Sequence, residues 1–275
     1  MNKILLLDDN IDVLTLDDSV ECKLILKNSL FQVNTLKINI LKDTDISISS
    51  KILNSSKLNV DITVFDNVKC NIYDFKEGVN SKVKYQYNIN ENSILNIYKF
   101  YDLDSVKEFV KVDLNKEGAT INYYFKTISK ASEKYDLTIY HNEKNTNSNI
   151  INNGVNIHDG NLTFNVSSFV SNSNTYCNVI QNSRIINLTD NKCQICPNLY
   201  IDEYEVNVSH SAHIGSFKED ELFYLMSRWI NKEEATYLLI KGFLMDNADC
   251  YKEEISNICE KYWRWLLWTV KILIC

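Results

Sequence analysis

Between residues 36 and 139 apolar side chains recur at every second position, and that alternation constrains this chain more than any other feature of it. Leu36, Ile38 and Ile40 alternate with Lys37 and Asn39, and Leu58, Val60, Ile62 and Val64 with Asn59, Asp61 and Thr63. Ile121, Tyr123 and Phe125 alternate with Asn122 and Tyr124, and Leu137 and Ile139 with Asp136 and Thr138. A period of two is the signature of half-buried strands, because successive side chains leave opposite faces of a pleated backbone. The runs are short, are separated by Asn, Asp, Ser and Lys, and have no helical pattern between them long enough to act as a crossover. The region up to about residue 215 is therefore expected to be all β.

How such strands turn is informative. The 275 residues include six glycines and one proline, few for a hairpin-rich sandwich, whose tight turns favour Gly at positive φ. Asn tolerates the left-handed conformation better than other non-Gly residues. Frequent Asn between apolar runs suits a solenoid that bends at each corner. Periodicity alone leaves sandwich and parallel β-helix about equally supported, since no strict repeat length stands out.

After Gly215 the period changes. Leu222, Leu225, Met226 and Trp229 fall at i, i+3, i+4 and i+7; Ala235, Leu238, Leu239, Gly242 and Phe243 repeat the stripe; Tyr251, Ile255, Ile258, Cys259, Tyr262, Trp265 and Leu266 form a third. Ser216 with Glu219, and Asn231 with Glu234, have capping-box spacing. The expected organisation is a β domain over 1–215 and a small α-helical domain over 216–275.

Composition narrows the function classes. A net charge of −7 and a pI of about 5.2, with lysines spread along the sequence, argue against nucleic-acid binding, which requires a basic patch or stripe. The start, MNKILLLDDN, has too short an apolar run for a signal-peptide core. Eight cysteines without an export signal are expected to be reduced thiols, and the protein is expected in the cytoplasm. The apolar end, YWRWLLWTVKILIC, contains Arg264 and Lys271 and is shorter than the roughly 20 residues that span a bilayer, so a docked helix is expected and no membrane anchor.

The stretch VNVSHSAHIGSFKEDELFYLMSRWI, residues 206–230, with NKEEATYLLIKGF following it, resembles the SufB/SufD family of iron–sulfur cluster assembly scaffolds. The resemblance rests on a Ser-His pair, a small turn containing Ala, a Leu-Phe-Tyr helix and an Ala-bearing helix ending in Gly-Phe. It implies a right-handed parallel β-helix followed by a C-terminal helical domain that docks a SufC-type ATPase. It also implies pairing with a SufB-like subunit, or with a second copy, and a transient iron or iron–sulfur cluster at the dimer interface. No ATP site is expected in the chain itself, which has no G-x-x-x-x-G-K-[ST] loop, and no enzymatic activity is expected.

By the same resemblance His210 is the candidate iron or cluster ligand, neutral imidazole being suited to iron; the simpler reading is a histidine hydrogen-bonded at a strand end. His213 could share that site or be structural. The ligands that SufB-type members place near this histidine are missing, with Asn182 at the cysteine position and Ser211 at the glutamate position; SufD-type members have a cysteine where Val208 stands. The chain thus looks like a SufD-type or degenerate partner and not the main cluster-building subunit.

Cys193 and Cys196 form a C-x-x-C pair, and Cys177 and His210 could complete a Cys₃His set, although turn and core cysteines are the simpler reading. Leu222, Phe223, Tyr224, Arg228, Trp229 and Phe243 are the candidate ATPase-docking residues, core packing being the competing explanation. Two rival functions remain: a purely structural partner without a metal role, and a carbohydrate-active β-helix enzyme, a class that is mostly exported.

Overall fold

The computed structural model describes residues 3–7, 13–17, 21–27, 33–52, 56–79, 81–246 and 248–272. The chain divides into two compact units, Met1–Ile214 and Gly215–Cys275.

The strands of the first unit, in chain order, are β1 Lys3–Leu7, β2 Val13–Leu16, β3 Glu21–Lys27, β4 Val33–Ile40, β5 Thr44–Ile52, β6 Ser56–Val64, β7 Lys69–Gly78, β8 Ser81–Ile89 and β9 Ile94–Leu103. They continue with β10 Val106–Leu114, β11 Thr120–Ser129, β12 Ser132–His141, β13 Asn147–Asn156, β14 Asn161–Val170, β15 Asn178–Asn187, β16 Gln194–Ile201 and β17 Asn207–Gly215. Odd-numbered strands build a nine-stranded sheet and even-numbered strands an eight-stranded one, each in sequence order. Neighbours within a sheet run parallel, as in β9–β11–β13 and β8–β10–β12. The chain crosses to the other sheet after every strand, so the unit is a parallel β-helix, one of the two folds the alternation left open.

The same lateral position returns after 19 residues between β1 and β3 and after 24 to 31 residues in the later turns. Between residues 36 and 139 the alternating apolar residues form the core, as expected: Leu36, Ile38, Ile40, Val60, Ile62, Val64, Ile121, Tyr123, Phe125, Leu137 and Ile139 are buried in one hydrophobic cluster. Outside it, identical residues stack from turn to turn. Asn122 donates to Asn96, Asn96 to Asn71 and Asn71 to Asp45, at 2.8, 2.8 and 2.6 Å. Tyr73, Tyr98 and Tyr124 stack with centroids 5.4 and 5.2 Å apart. Asn67, Asn92 and Asn145 take φ of 60°, 50° and 57°, so Asn does replace Gly at these corners. At Gly118, φ is +74° and a Cβ would lie 2.3 Å from Asn92 Oδ1, which reserves that corner for glycine.

The second unit contains α1 Glu219–Met226, α2 Lys232–Met245, a 3₁₀ turn at Asp249–Tyr251 and α3 Lys252–Ile272. Asn231 caps α2, its side chain accepting from the Glu234 amide at 2.8 Å. The expected cap at Ser216 is corrected: α1 begins two residues later than that spacing requires, after Lys218, whose amide donates to the Glu221 carboxylate at 3.3 Å. The apolar stripes also need correction. No α1 residue is buried, and α2 buries Ala235, Ile240 and Leu244, whereas Leu238 is exposed. Tyr251, Ile255, Ile258 and Cys259 are buried as expected. The side chains of the apolar end from residue 264 lie outside the described residues. Among the described residues, no helix is long and apolar enough to cross a membrane.

Candidate functional site

The histidines and most of the cysteines singled out above lie at the C-terminal end of the β-helix, where β16 closes one sheet and β17 the other. Strand periodicity decides which of them can meet. Val206 and Val208 pack on the small cluster of Val170, Cys177 and Val179, whereas Asn207 donates outward to Asn178 at 2.7 Å. His210 therefore has the inward parity of Val208 and His213 the outward parity of Asn207; both are exposed. Side chains three apart on a strand leave opposite faces, so these two imidazoles cannot share a ligand. Ser211 takes the outward parity as well. On β15, Asn182 is exposed and its neighbours Gln181 and Ser183 are buried.

The same rule separates the C-x-x-C pair. Cys193 and Ile195 pack against the main core, and burial raises the Cys193 thiol above its usual range. Cys196 lies on the other face of β16, accepting a bond from Gln194 Nε2 at 3.0 Å. The spacing that brings two thiolates together in a loop or helix divides them here. Cys177 is buried at a corner, its Sγ 3.2 Å from Thr146 Oγ1 and donating to the carbonyl of Asn174 at 3.2 Å. Among the described residues no three or more His, Cys, Asp or Glu side chains are grouped to hold a metal. The Cys₃His arrangement is not formed.

In the helical unit Phe223, Tyr224 and Trp229 are exposed, Trp229 completely, while Leu222 and Phe243 are half-buried. Arg228 Nη2 donates to Tyr224 Oη at 2.7 Å, and its guanidinium lies 4.7 Å from that ring's centroid. Trp229 has a φ of 65°, unusual for a bulky residue, in the turn that ends α1.

Sequence reasoning missed a set of ionised groups inside the β-helix. Asp74, Lys76, Lys99 and Glu108 are all 1% exposed or less. Lys76 bonds Asp74 and Tyr85, and Lys99 bonds Glu108 at 3.0 Å. Tyr101 bridges the carboxylates, Oη lying 2.8 Å from Asp74 and 2.7 Å from Glu108. Tyr123 bonds Glu108 at 3.2 Å. Two cations thus offset two anions, as buried charges require.

Burial alone would raise the Asp74 carboxyl, but Lys76 and Lys99 hold it below its ordinary value. Burial lowers the Lys76 ammonium despite Asp74. Further along, Glu133 accepts from Thr127 and Tyr135 at 2.9 and 2.8 Å, and burial pushes its carboxyl up to about 8. His141, between Thr146 and Ser148, is lowered by burial to about 4. These positions were marked in the sequence: each is a polar residue at inward parity, Asp74 two after Ile72 and Lys99 two after Ile97.

The family described as SUF system FeS cluster assembly, SufBD core domain, matches residues 32–243. The iron-sulfur cluster assembly protein SufD of Bacillus subtilis is 34% identical over 114 residues, 41% of this chain and 26% of that protein. A SufBD family protein of Pyrococcus horikoshii is 58% identical over 60 residues, 20% of this chain and 14% of its own. One from Staphylococcus epidermidis is 28% identical over 136 residues, 46% and 28%. The chain thus spans only 14 to 28% of the length of these relatives.

Proposed function

The chain belongs to the SufBD family of iron–sulfur cluster assembly proteins, and from that premise we propose that it is a SufD-like, non-catalytic subunit of a cluster-assembly complex. In this reading the C-terminal end of the β-helix pairs with a SufB-like subunit or with a second copy. The helical unit docks a SufC-type ATPase through Phe223, Tyr224, Trp229 and their neighbours. The iron or cluster is the cargo of the interface, held transiently with His210 as this chain's contribution, and the complex works in the cytoplasm.

The observation that carries the SufD-like assignment is the poverty of ligands around His210. Val208, Ser211 and Asn182 supply none, His213 has the opposite parity, and Cys193 and Cys196 are divided between faces. One imidazole with open coordination partners is half of a site that a second subunit would complete. The end strands support the pairing, because β16 and β17 are the last members of their sheets and a strand there has unpaired backbone groups on one side.

Co-expression with a SufB-like subunit and a SufC-type ATPase tests this. The three should purify together, and His210→Ala should lower iron content without releasing a subunit. A chain that purifies alone rejects the assembly role. Unchanged iron in an intact His210→Ala complex favours the second reading, a structural partner without a metal role.

A further inference from the structure

The lysines that look scattered in the sequence are gathered by the coiling of the chain into a row. Lys57 on β6 pairs in register with Lys82 on β8, Lys82 with Lys107 on β10, and Lys107 with Lys134 on β12. All four are exposed on the outer face of the eight-stranded sheet. Strands in a sheet lie about 4.8 Å apart, so the row spans about 14 Å. Lys134 reaches Asp136 at 3.3 Å. Among the described residues, none of Lys57, Lys82 and Lys107 is paired with a carboxylate; Lys82 lies 5.7 Å from the centroid of the Phe109 ring. Like charges directly opposite on neighbouring strands weaken a sheet, so Lys57, Lys82 and Lys107, with Lys134 only partly offset by Asp136, form an arrangement that further carboxylates would relieve.

The neighbouring rows indicate what kind of anion fits. Two residues further along, the sheet presents Asn59, Lys84, Phe109 and Asp136; two further still come Asp61, Gln86, Lys111 and Thr138. Phe109, 36% exposed, adds apolar surface beside the lysines. Asp61 and Asp136 would repel the flanks of a uniformly charged polymer such as nucleic acid, as would the net charge of −7. A protein surface with one acidic line and mixed flanks suits all three rows.

The spacing narrows it further. Carboxylates on one face of an extended strand repeat every 6.6 Å or so. Those at i, i+3 or i+4 of an α-helix are about 5–6 Å apart, and a run from i to i+11 covers about 16 Å. We propose that this face docks an acidic amphipathic helix of a partner protein, laid along the β-helix axis with its glutamate or aspartate stripe on Lys57, Lys82, Lys107 and Lys134. These lysines lie on β6, β8, β10 and β12, not on the end strands β16 and β17, and the docking stands without the subunit roles given above.

The test uses the full chain and fluorescence anisotropy. The probe is a labelled alanine-rich helical peptide with glutamates at i, i+4, i+7 and i+11. Its controls are the same composition with glutamates spread around the helix and a thymidine oligonucleotide of equal charge. The striped peptide should bind saturably and more tightly than either control, and more weakly as salt rises. Each Lys→Gln change in the row should weaken it by about two- to fivefold, and the fourfold Gln variant should not bind. The fourfold Arg variant should retain binding, and Lys69→Gln on the other sheet should leave it unchanged. Circular dichroism checks the fold of each. Equal binding of striped and scrambled peptides, tighter binding of the oligonucleotide, or undiminished binding by a folded fourfold Gln variant would overturn the proposal.

Discussion

Replacing Glu133 with Gln should make the protein more stable at neutral pH, by an amount that grows with pH. Glu133 is 1% exposed; its Oε2 accepts from Thr127 and Tyr135, and Oε1 has no hydrogen-bond partner. Burial raises its carboxyl from an ordinary 4.5 to about 8, so the folded chain holds the proton over a range in which the unfolded chain releases it. The stability contributed by the protonated form is complete below 4.5, falls as pH rises, and is fully lost once pH passes the folded value near 8. At about 1.4 kcal/mol for each pH unit, the loss reaches roughly 3 kcal/mol at pH 7 and about 4 kcal/mol at pH 8. Gln has the shape and neutrality of the protonated acid. Its oxygen can accept from Thr127 and Tyr135, and its amide, like the acid hydroxyl it replaces, lies where Oε1 has no partner. Urea unfolding of both proteins from pH 5 to 8.5 should show near-equality at the acid end and a difference rising by about 1 kcal/mol per pH unit. Parallel stability profiles across that range would refute the reasoning, because they would mean that Glu133 is ionised in the fold.

Lys99→Met should destabilise the protein by about 3–5 kcal/mol, since it leaves Glu108 without its cation, and Lys99→Met with Glu108→Gln should recover much of that; a urea-unfolding cost below about 1 kcal/mol for the single change would contradict the buried pair at 3.0 Å. Cys196, on the outer face, should be alkylated by iodoacetamide before Cys193, whose thiol burial raises; peptide mass mapping at short times reads the order, and equal labelling would mean that the two do not lie on opposite faces.

Much of the β-helix was legible because apolar residues hold most inward positions, although buried polar ones interrupt them, chiefly from β7 onward. Leu36 to Ile40 or Leu58 to Val64 announces a strand without help from the rest of the chain. What periodicity could not decide was how the strands associate, because sandwich and solenoid use the same half-buried unit; the parallel register that distinguishes them is a relation between residues 19 to 31 apart. The helical stripes were less reliable. Leu222, Leu225 and Met226 have ideal spacing, yet no residue of α1 is buried, since spacing marks an apolar face without supplying what covers it.

The metal reading of the C-x-x-C pair failed for a related reason. A C-x-x-C pair invites a metal reading because its usual settings are turns and helix starts, where the third residue returns to the first. On a strand the period of two sends residue i+3 to the far side, and Cys193, just before β16, keeps the inward parity of Ile195 while Cys196 lies on the other face. The converse error concealed Asp74, Lys76, Lys99 and Glu108, which read as ordinary surface charges when taken singly. Parity assigns them inward, and composition cannot contradict parity where opposite charges lie on adjacent turns: Lys76 and Lys99 are tolerable inside only because Asp74 and Glu108 reach them. Lys57, Lys82, Lys107 and Lys134 follow the same geometry on the outer face. There parallel register puts like charges side by side, and of the four only Lys134 reaches a carboxylate among the described residues. In both rows the turn length of the solenoid, more than local sequence, decides which charges meet.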